Sequence, residues 1–227
     1  MRATVARLAA AFPFLALLAW AGVVAIDTAA AERFVTAAST EMSAWAATGT
    51  QPQVGTWNAV RERLDAALEI VPRNPTAHEL RGLLGTGRRD SPEAIAEGIS
   101  HLRTALELRP ASPYTWASLA EAQYRQGEPG RNMQLAIARA AALGPSEPGV
   151  QRVIADYGLA IWDEVDAPTK GAIDRLLGAG FRRNPLEMLL ISERRGRLDT
   201  ACRHLDGLPR TPDSRLTGRC EGRETTP

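Results

Sequence analysis

The chain has few of the residues from which β-sheets and nucleic-acid surfaces are built. Aromatic residues make up only 5% of its 227 residues, and runs of β-branched residues, which strands favour, are sparse. The formal net charge is +1 at pH 7. No basic run is interleaved with aromatic residues in the way that a surface contacting phosphates requires. We therefore expect no β-sheet and no nucleic-acid partner.

Motifs for catalysis and for metal binding are also missing from the sequence. The three histidines are dispersed, and there is no H-E-x-x-H, C-x-x-C or glycine-rich phosphate loop. The one acidic cluster, Asp163, Glu164 and Asp166, lies in a predicted turn between helices. Solvated turn charges and carboxylates in a first helical turn account for it. We expect no enzyme activity, no metal and no cofactor.

Alanine, leucine, arginine and glutamate are abundant, and this composition favours helix. The roughly two hundred residues after an apolar start suit one domain of ordinary size. The predicted organisation is an N-terminal membrane anchor or signal peptide over residues 1–27, a helical repeat domain over 28–208 and a flexible tail over 209–227.

The apolar start is predicted to cross a membrane once. Arg2 and Arg7 precede an uninterrupted apolar segment from Leu8 to Ile26, which as a helix spans a hydrocarbon core of ~30 Å. Positive charge on its N-terminal side keeps the N-terminus in the cytoplasm and places the remaining chain outside. The alternative is a signal peptide that is cleaved near Ala29-Ala30-Ala31. The apolar core of a signal peptide has up to ~15 residues, and the apolar segment of this chain is longer. Both alternatives export the domain.

A short proline motif returns along the chain at nearly constant intervals. Pro72 to Pro75, Pro110 to Pro113 and Pro145 to Pro148 are three copies of P-x-x-P, and Arg182 to Pro185 is a fourth that lacks the first proline. The intervals are 38, 35 and 37 residues, close to the 34-residue unit of tetratricopeptide helical hairpins. The first proline ends one helix and the second begins the next, because a first helical turn needs no N–H.

The clearest unit follows the second motif and indicates a tetratricopeptide framework. Trp116, Leu119 and Ala120 lead to Tyr124 and then Gly127, matching the W-x-x-L-G…Y pattern. The fold predicted is an all-α, tetratricopeptide-like solenoid with one N-terminal transmembrane helix. Its helix pairs are Thr28–Thr48 with Gly55–Val71, Thr76–Thr86 with Pro92–Leu108, Pro113–Gln126 with Arg131–Leu143, Pro148–Trp162 with Pro168–Phe181, and Leu186–Arg195 with Leu198–Leu205.

The concave side of such a stack is lined by the first helix of each pair and is the expected binding surface. A solvated face without a ligand is the alternative interpretation of these polar residues, and a peptide or charged loop of a partner is the ligand that they suit. The residues predicted to line this groove are Glu79, Tyr114, Ala117, Glu121, Tyr124, Arg125, Gln151, Arg152 and Asp156.

Three runs of the sequence, RPASPYTWASLA from Arg109, AALGPSEPGVQ from Ala141 and GLAIW from Gly158, resemble the VpsP-type proteins. These are small anchored tetratricopeptide proteins encoded with exopolysaccharide synthesis and export machinery in Gram-negative bacteria. The resemblance spans about residues 57 to 202. Arg81 departs from it where a leucine is usual, and Gly85 departs where an aromatic residue is usual.

The resemblance implies a scaffold in the bacterial inner membrane, with its domain in the periplasm, that supports a polysaccharide synthesis or export complex. It carries no catalytic residues to transfer. An adaptor for envelope assembly or cytochrome maturation would use the same architecture. A glycan-modifying enzyme is the alternative from another class, and it would need a pair of facing carboxylates such as Glu121 and Asp156. The oligomeric state is left open.

The only two cysteines, Cys202 and Cys220, are expected to form a disulfide in an oxidising compartment. Cys202 falls in the last predicted helix, and Cys220 falls in the predicted flexible tail. The alternative is a buried thiol at Cys202 that packs as a small apolar residue, together with an unrelated thiol in the tail.

Overall fold

The computed structural model describes residues 2–88, 90–127, 129–206 and 220, with side chains from residue 14 onward except residue 15. These residues are helical without any strand, which confirms the all-α prediction. The predicted tail over 209–227 lies outside them apart from Cys220. The helices are α1 (Arg2–Thr48), α2 (Val54–Ile70), α3 (Pro75–Gly87), α4 (Pro92–Leu108), α5 (Pro113–Arg125), α6 (Arg131–Leu143), α7 (Pro148–Ala160), α8 (Ala167–Arg183), α9 (Pro185–Arg194) and α10 (Leu198–Asp206).

The second proline of each motif is the first residue of a helix, the place predicted for it. In three of the four motifs the residue before that proline caps the new helix. Asn74, Ser112 and Asn184 each accept a hydrogen bond from a backbone N–H of the first turn through a side-chain oxygen. The start of these helices is therefore determined locally, by a proline and a polar residue next to it.

The carbonyl group of the first proline is satisfied in the same way at each of the first three motifs. A side chain six residues further on, in the new helix, donates a hydrogen bond to it. The carbonyl oxygen can only accept, so the histidine of the first motif carries its proton on Nε2. The donors are His78 Nε2 to Pro72 at 3.0 Å, Trp116 Nε1 to Pro110 at 2.9 Å and Gln151 Nε2 to Pro145 at 2.8 Å.

The fourth motif lacks this hydrogen bond as well as the proline. Arg182 replaces the proline, and six residues later stands Met188, whose side chain has no N–H or O–H to donate. Met188 is buried, and its sulfur lies 2.6 Å from where a Cβ on Gly180 would be. The joint between α8 and α9 is thus closed by apolar packing.

The chain divides into two compact units, residues 1–84 and 85–227, with the division inside α3. In the first unit α1 packs against α2 through Ala31, Val35 and Ala38, one helical face of small and β-branched residues. The Trp57 indole N–H donates to the Leu84 carbonyl at 3.2 Å. The packing on α2 anchors the C-terminal half of α1, and the hydrogen bond joins α2 to α3.

Arg81, where the resemblance expects a leucine, is a buried residue of the first unit. Only 1% of it is exposed, and its Nε donates to Asp65 Oδ1 at 2.7 Å. It takes the place that Leu119 has in the clearest repeat, so this unit has an ion pair where that repeat has an apolar contact. A buried charge requires such a partner.

The N-terminal half of α1 differs from its C-terminal half because its described apolar side chains are exposed. The helix is continuous from Arg2 to Thr48, so the predicted anchor and the first repeat helix form one element. Among the described residues, whose side chains begin at residue 14, no helix is both long enough and apolar enough to cross a membrane. The exposed large side chains are Phe14, Leu17, Leu18, Trp20, Val23, Val24 and Ile26.

In the second unit the helices from α4 to α10 pack by a simple rule. Each contacts the next helix in the chain, and from α5 to α8 each also contacts the next but one. Their buried side chains form one continuous apolar cluster. Packing that is restricted to near neighbours in the chain is compatible with a helical-repeat fold.

Candidate functional site

The second unit has a groove that runs across three first helices, α5, α7 and α9. Helix α7 contacts both α5 and α9, and the three helices line a cavity of about 550 Å³. We call this cavity the first-helix groove. The side chains that matter below are Glu121 and Arg125 from α5, Arg152 and Asp156 from α7, and Leu186 and Leu190 from α9.

One end of the groove holds a hydrogen-bonded group on α5 and α7. Arg125 Nη2 pairs with Glu121 Oε1, and the Tyr157 hydroxyl donates to the same carboxylate oxygen at 2.7 Å. Arg125 also donates through Nη1 to the Thr86 carbonyl at 3.0 Å. Burial raises the pKa of Tyr157, and the charge of Glu121 raises it further. The phenol therefore stays protonated and acts as a donor.

Asp156 connects α7 to the end of α9. Its Oδ1 accepts from Arg195 Nε at 2.8 Å and from Arg194 Nη2 at 2.9 Å. Burial of the carboxyl opposes its ionisation, but the hydrogen bonds from Arg195 and Arg194 outweigh burial, and the pKa of Asp156 is lowered. Asp156 is therefore a carboxylate at neutral pH.

Two tyrosines and Arg195 pack together beside this ion pair. The ring centroids of Tyr124 and Tyr157 are 5.2 Å apart. The guanidinium carbon of Arg195 lies 5.8 Å from the Tyr124 ring and 5.7 Å from the Tyr157 ring, within cation–π distance. The hydrogen bond to Asp156 also raises the pKa of Arg195. The packing of these three side chains holds this side of the groove in place.

The outer layer of the groove is apolar and basic. Leu186 is 50% exposed and Leu190 is 44% exposed, one helical turn apart on α9. Arg152 Nε pairs with Glu187 Oε1 at 2.5 Å, and 56% of the Arg152 side chain is exposed. For Arg194 the exposed fraction is 61%. Arginine is enriched at binding hot spots, and an exposed apolar patch rimmed by polar residues marks interaction sites.

The structure brings together some of the residues predicted for the groove and separates others. Tyr114 donates to Glu147 at 2.6 Å and does not line the cavity. Gln151 is buried at the third joint, and Ala117 is also buried. Glu79 belongs to α3 in the first unit. Those found at or beside the groove are Glu121, Tyr124, Arg125, Arg152 and Asp156.

Several residues of the groove were not predicted from the sequence. Tyr157 directly follows Asp156, which the sequence predicts, and most of the others lie on or next to α9, the first helix of the last pair. The same rule, that first helices line the concave side, would have included α9. The lining residues missed are Val153, Tyr157, Asn184, Leu186, Glu187, Leu190, Ile191 and Arg194, and Arg195, which packs beside the groove, was missed as well.

Glu121 and Asp156 both line the groove, as a glycan-cleaving site would require of two carboxylates. Each is held by arginine, however, and the pKa of Asp156 is lowered. A general acid in such a site needs a raised pKa, so Asp156 does not suit that role. Among the described residues, no group of three or more His, Cys, Asp or Glu side chains could hold a metal ion.

The sequence matches no protein-family model and no curated protein. The resemblance to VpsP-type proteins has no support from these comparisons.

Proposed function

We propose that this protein is a tetratricopeptide-type scaffold whose first-helix groove binds a segment of a partner protein. The observation that carries the proposal is the pair Leu186 and Leu190, exposed inside a groove whose charged groups are already positioned by ion pairs. Burying a leucine side chain contributes about 1.5–3 kcal/mol. A partner that covers both leucines would bind without having to order the groove.

The repeat type is supported by the interval of the proline motifs and by the packing of helices on near neighbours. At three motifs the carbonyl group of the first proline accepts a hydrogen bond from the side chain six residues further on, and this shared hydrogen bond supports the repeat type further. A solenoid of this kind offers an extended surface for partners, which agrees with a scaffold role.

Replacing Leu186 and Leu190 together by serine is expected to reduce recovery of the partner by at least about 10-fold, since 1.4 kcal/mol already corresponds to that factor. The measurement is quantitative mass spectrometry of proteins that copurify from solubilised membranes. Leu135→Ser is the matched control, because Leu135 is also 50% exposed but lies on α6 outside the groove. Equal recovery with both variants, at unchanged melting temperature, would remove the groove from the proposal.

We further propose that the N-terminal half of α1 anchors the protein in the inner membrane, with the domain in the periplasm. The seven large apolar side chains that are described there and exposed point in all directions around the helix, at 3.6 residues per turn. A protein partner would cover one face, whereas lipid surrounds a helix on every side. An alkaline phosphatase fusion after Thr48 should be active, and the protein should resist carbonate extraction. Recovery of a mature chain that begins near Glu32 would contradict the anchor.

A polysaccharide synthesis or export complex is the partner assembly that we propose, and this part of the proposal rests on the resemblance of the sequence. Glycosyltransferase and export genes beside its gene would favour it. Haem-ligation genes in that position would favour an adaptor in cytochrome maturation instead.

A further inference from the structure

We infer that the partner segment carries two carboxylates about 10 Å apart, on either side of one or two apolar side chains. The inference rests on the proposed protein-binding function of the first-helix groove and adds the chemistry of its ligand. Three observations support it: the exposed fractions of the arginines and of their carboxylate partners, the spacing between the exposed arginines, and the leucines between them.

The arginines of the outer layer lie closer to solvent than the carboxylates that hold them. More than half of the Arg152 and Arg194 side chains is exposed, whereas the exposed fraction is 31% for Glu187 and 19% for Asp156. A guanidinium has five N–H donors, and each of these arginines makes its ion pair with a single carboxylate oxygen. An approaching ligand therefore meets cationic donors first, with carboxylates beneath them.

The separation of the two arginines determines the spacing of the ligand's charges. Arg152 is paired with Glu187 in the first turn of α9, and Arg194 is the last residue of that helix, seven residues later. Seven residues of α-helix rise about 10 Å, and this rise between the backbone positions of Glu187 and Arg194 is our estimate of the spacing. A helical ligand matches this distance with acidic residues seven apart, and an extended ligand matches it with acidic residues three apart.

The leucines require apolar side chains between those acidic residues. Leu186 and Leu190 lie on the stretch of α9 that joins the two arginines. Aliphatic side chains do not suit a sugar ring, which needs polar partners. Tyr157 and Tyr124 pack against each other and against Arg195. A peptide with acidic and apolar side chains fits these contacts, and an anionic polysaccharide does not.

A selection experiment tests the inference with the full chain in detergent. A displayed library of random peptides is selected on the wild-type protein, and enriched peptides are synthesised and titrated by fluorescence polarisation at several salt concentrations. We expect enriched peptides to carry an acidic pair at one of the two spacings with leucine-like residues between. Their affinity should fall as salt is raised.

Variants of the groove residues test whether the selected peptides bind in the groove. Arg152→Gln with Arg194→Gln should weaken the selected peptides by about 10-fold or more and flatten their salt dependence. The affinity of Arg152→Lys should lie between those of wild type and the double variant, because lysine keeps the charge but loses the bidentate geometry of the guanidinium. Arg203→Gln is the control, since Arg203 is 62% exposed and pairs with Asp199 on α10, outside the groove. Its affinity should equal that of wild type.

The possible results separate the two proposals. Peptides that depend on Leu186 and Leu190 but lack acidic residues would overturn the inference and leave the scaffold function intact. Peptides whose binding is unchanged in the leucine double variant would overturn both. Competition by soluble alginate, with no peptide enriched, would assign the arginines to a glycan and overturn the inference.

Discussion

Replacing Gly85 by alanine is expected to lower the free energy of unfolding by about 1–3 kcal/mol, the usual cost of overpacking. Alanine is normally favoured over glycine inside a helix by about 1 kcal/mol, so the expected sign is opposite to helix propensity. A Cβ at Gly85 would lie 2.6 Å from the Ala94 carbonyl oxygen and 3.1 Å from the Gly98 Cα. Both are backbone atoms of α4, which cannot give way as a flexible side chain can.

The matched control is Gly171→Ala in α8. A Cβ there meets only the Arg175 guanidinium, at 3.5 Å, which is an ordinary contact. This variant should be neutral or more stable by up to about 1 kcal/mol. Urea unfolding followed by circular dichroism gives both values. If both alanines raise stability equally, the close approach of α4 to Gly85 is not a feature of the folded protein.

The same contact leaves no room for a large side chain at position 85. An aromatic residue at this position would need space that the α4 backbone occupies. The sequence alone does not reveal this restriction, because it arises from the approach of one helix to another. Helix starts, by contrast, were predicted closely, since a proline and its neighbouring cap act within a few residues.

The groove was predicted only in part for a related reason. A repeat interval identifies which helices face the concave side, but it does not determine which side chains of a helix do so. An error of one residue in the alignment of two repeats rotates the predicted face by about 100° around the helix. Gln151 and Arg152 are neighbours, yet Gln151 turns inward to Pro145 and Arg152 lines the groove. In α5, Gln123 is the buried residue and the predicted Tyr124 packs beside the groove wall. The ion pairs between helices could not be predicted from the sequence, because they depend on how the helices pack.

Removing the bond between Cys202 and Cys220 is expected to destabilise the last helix pair by about 3 kcal/mol in the chain-entropy model. The structure joins these cysteines, 18 residues apart in sequence, with their Cα atoms 5.7 Å apart. Helix α10 depends on this link because it is the last described helix and packs only against α8 and α9. Leu198, Ala201 and Leu205 are its buried residues.

Hydrogen exchange measures the effect where it should occur. A change of about 3 kcal/mol corresponds to roughly 100-fold faster exchange through local opening, expected in α10 after Cys220→Ser, while α5 around Trp116 stays protected. Arg195, which holds Asp156, lies just before α10, so exchange at the end of α9 should rise as well. The double variant with Cys202→Ser should behave in the same way with and without reductant, which separates loss of the bond from other effects of the reductant. Two alkylated thiols in the non-reduced protein would reject the disulfide. An unchanged exchange rate in α10 would show that packing against α8 and α9 suffices to hold this helix.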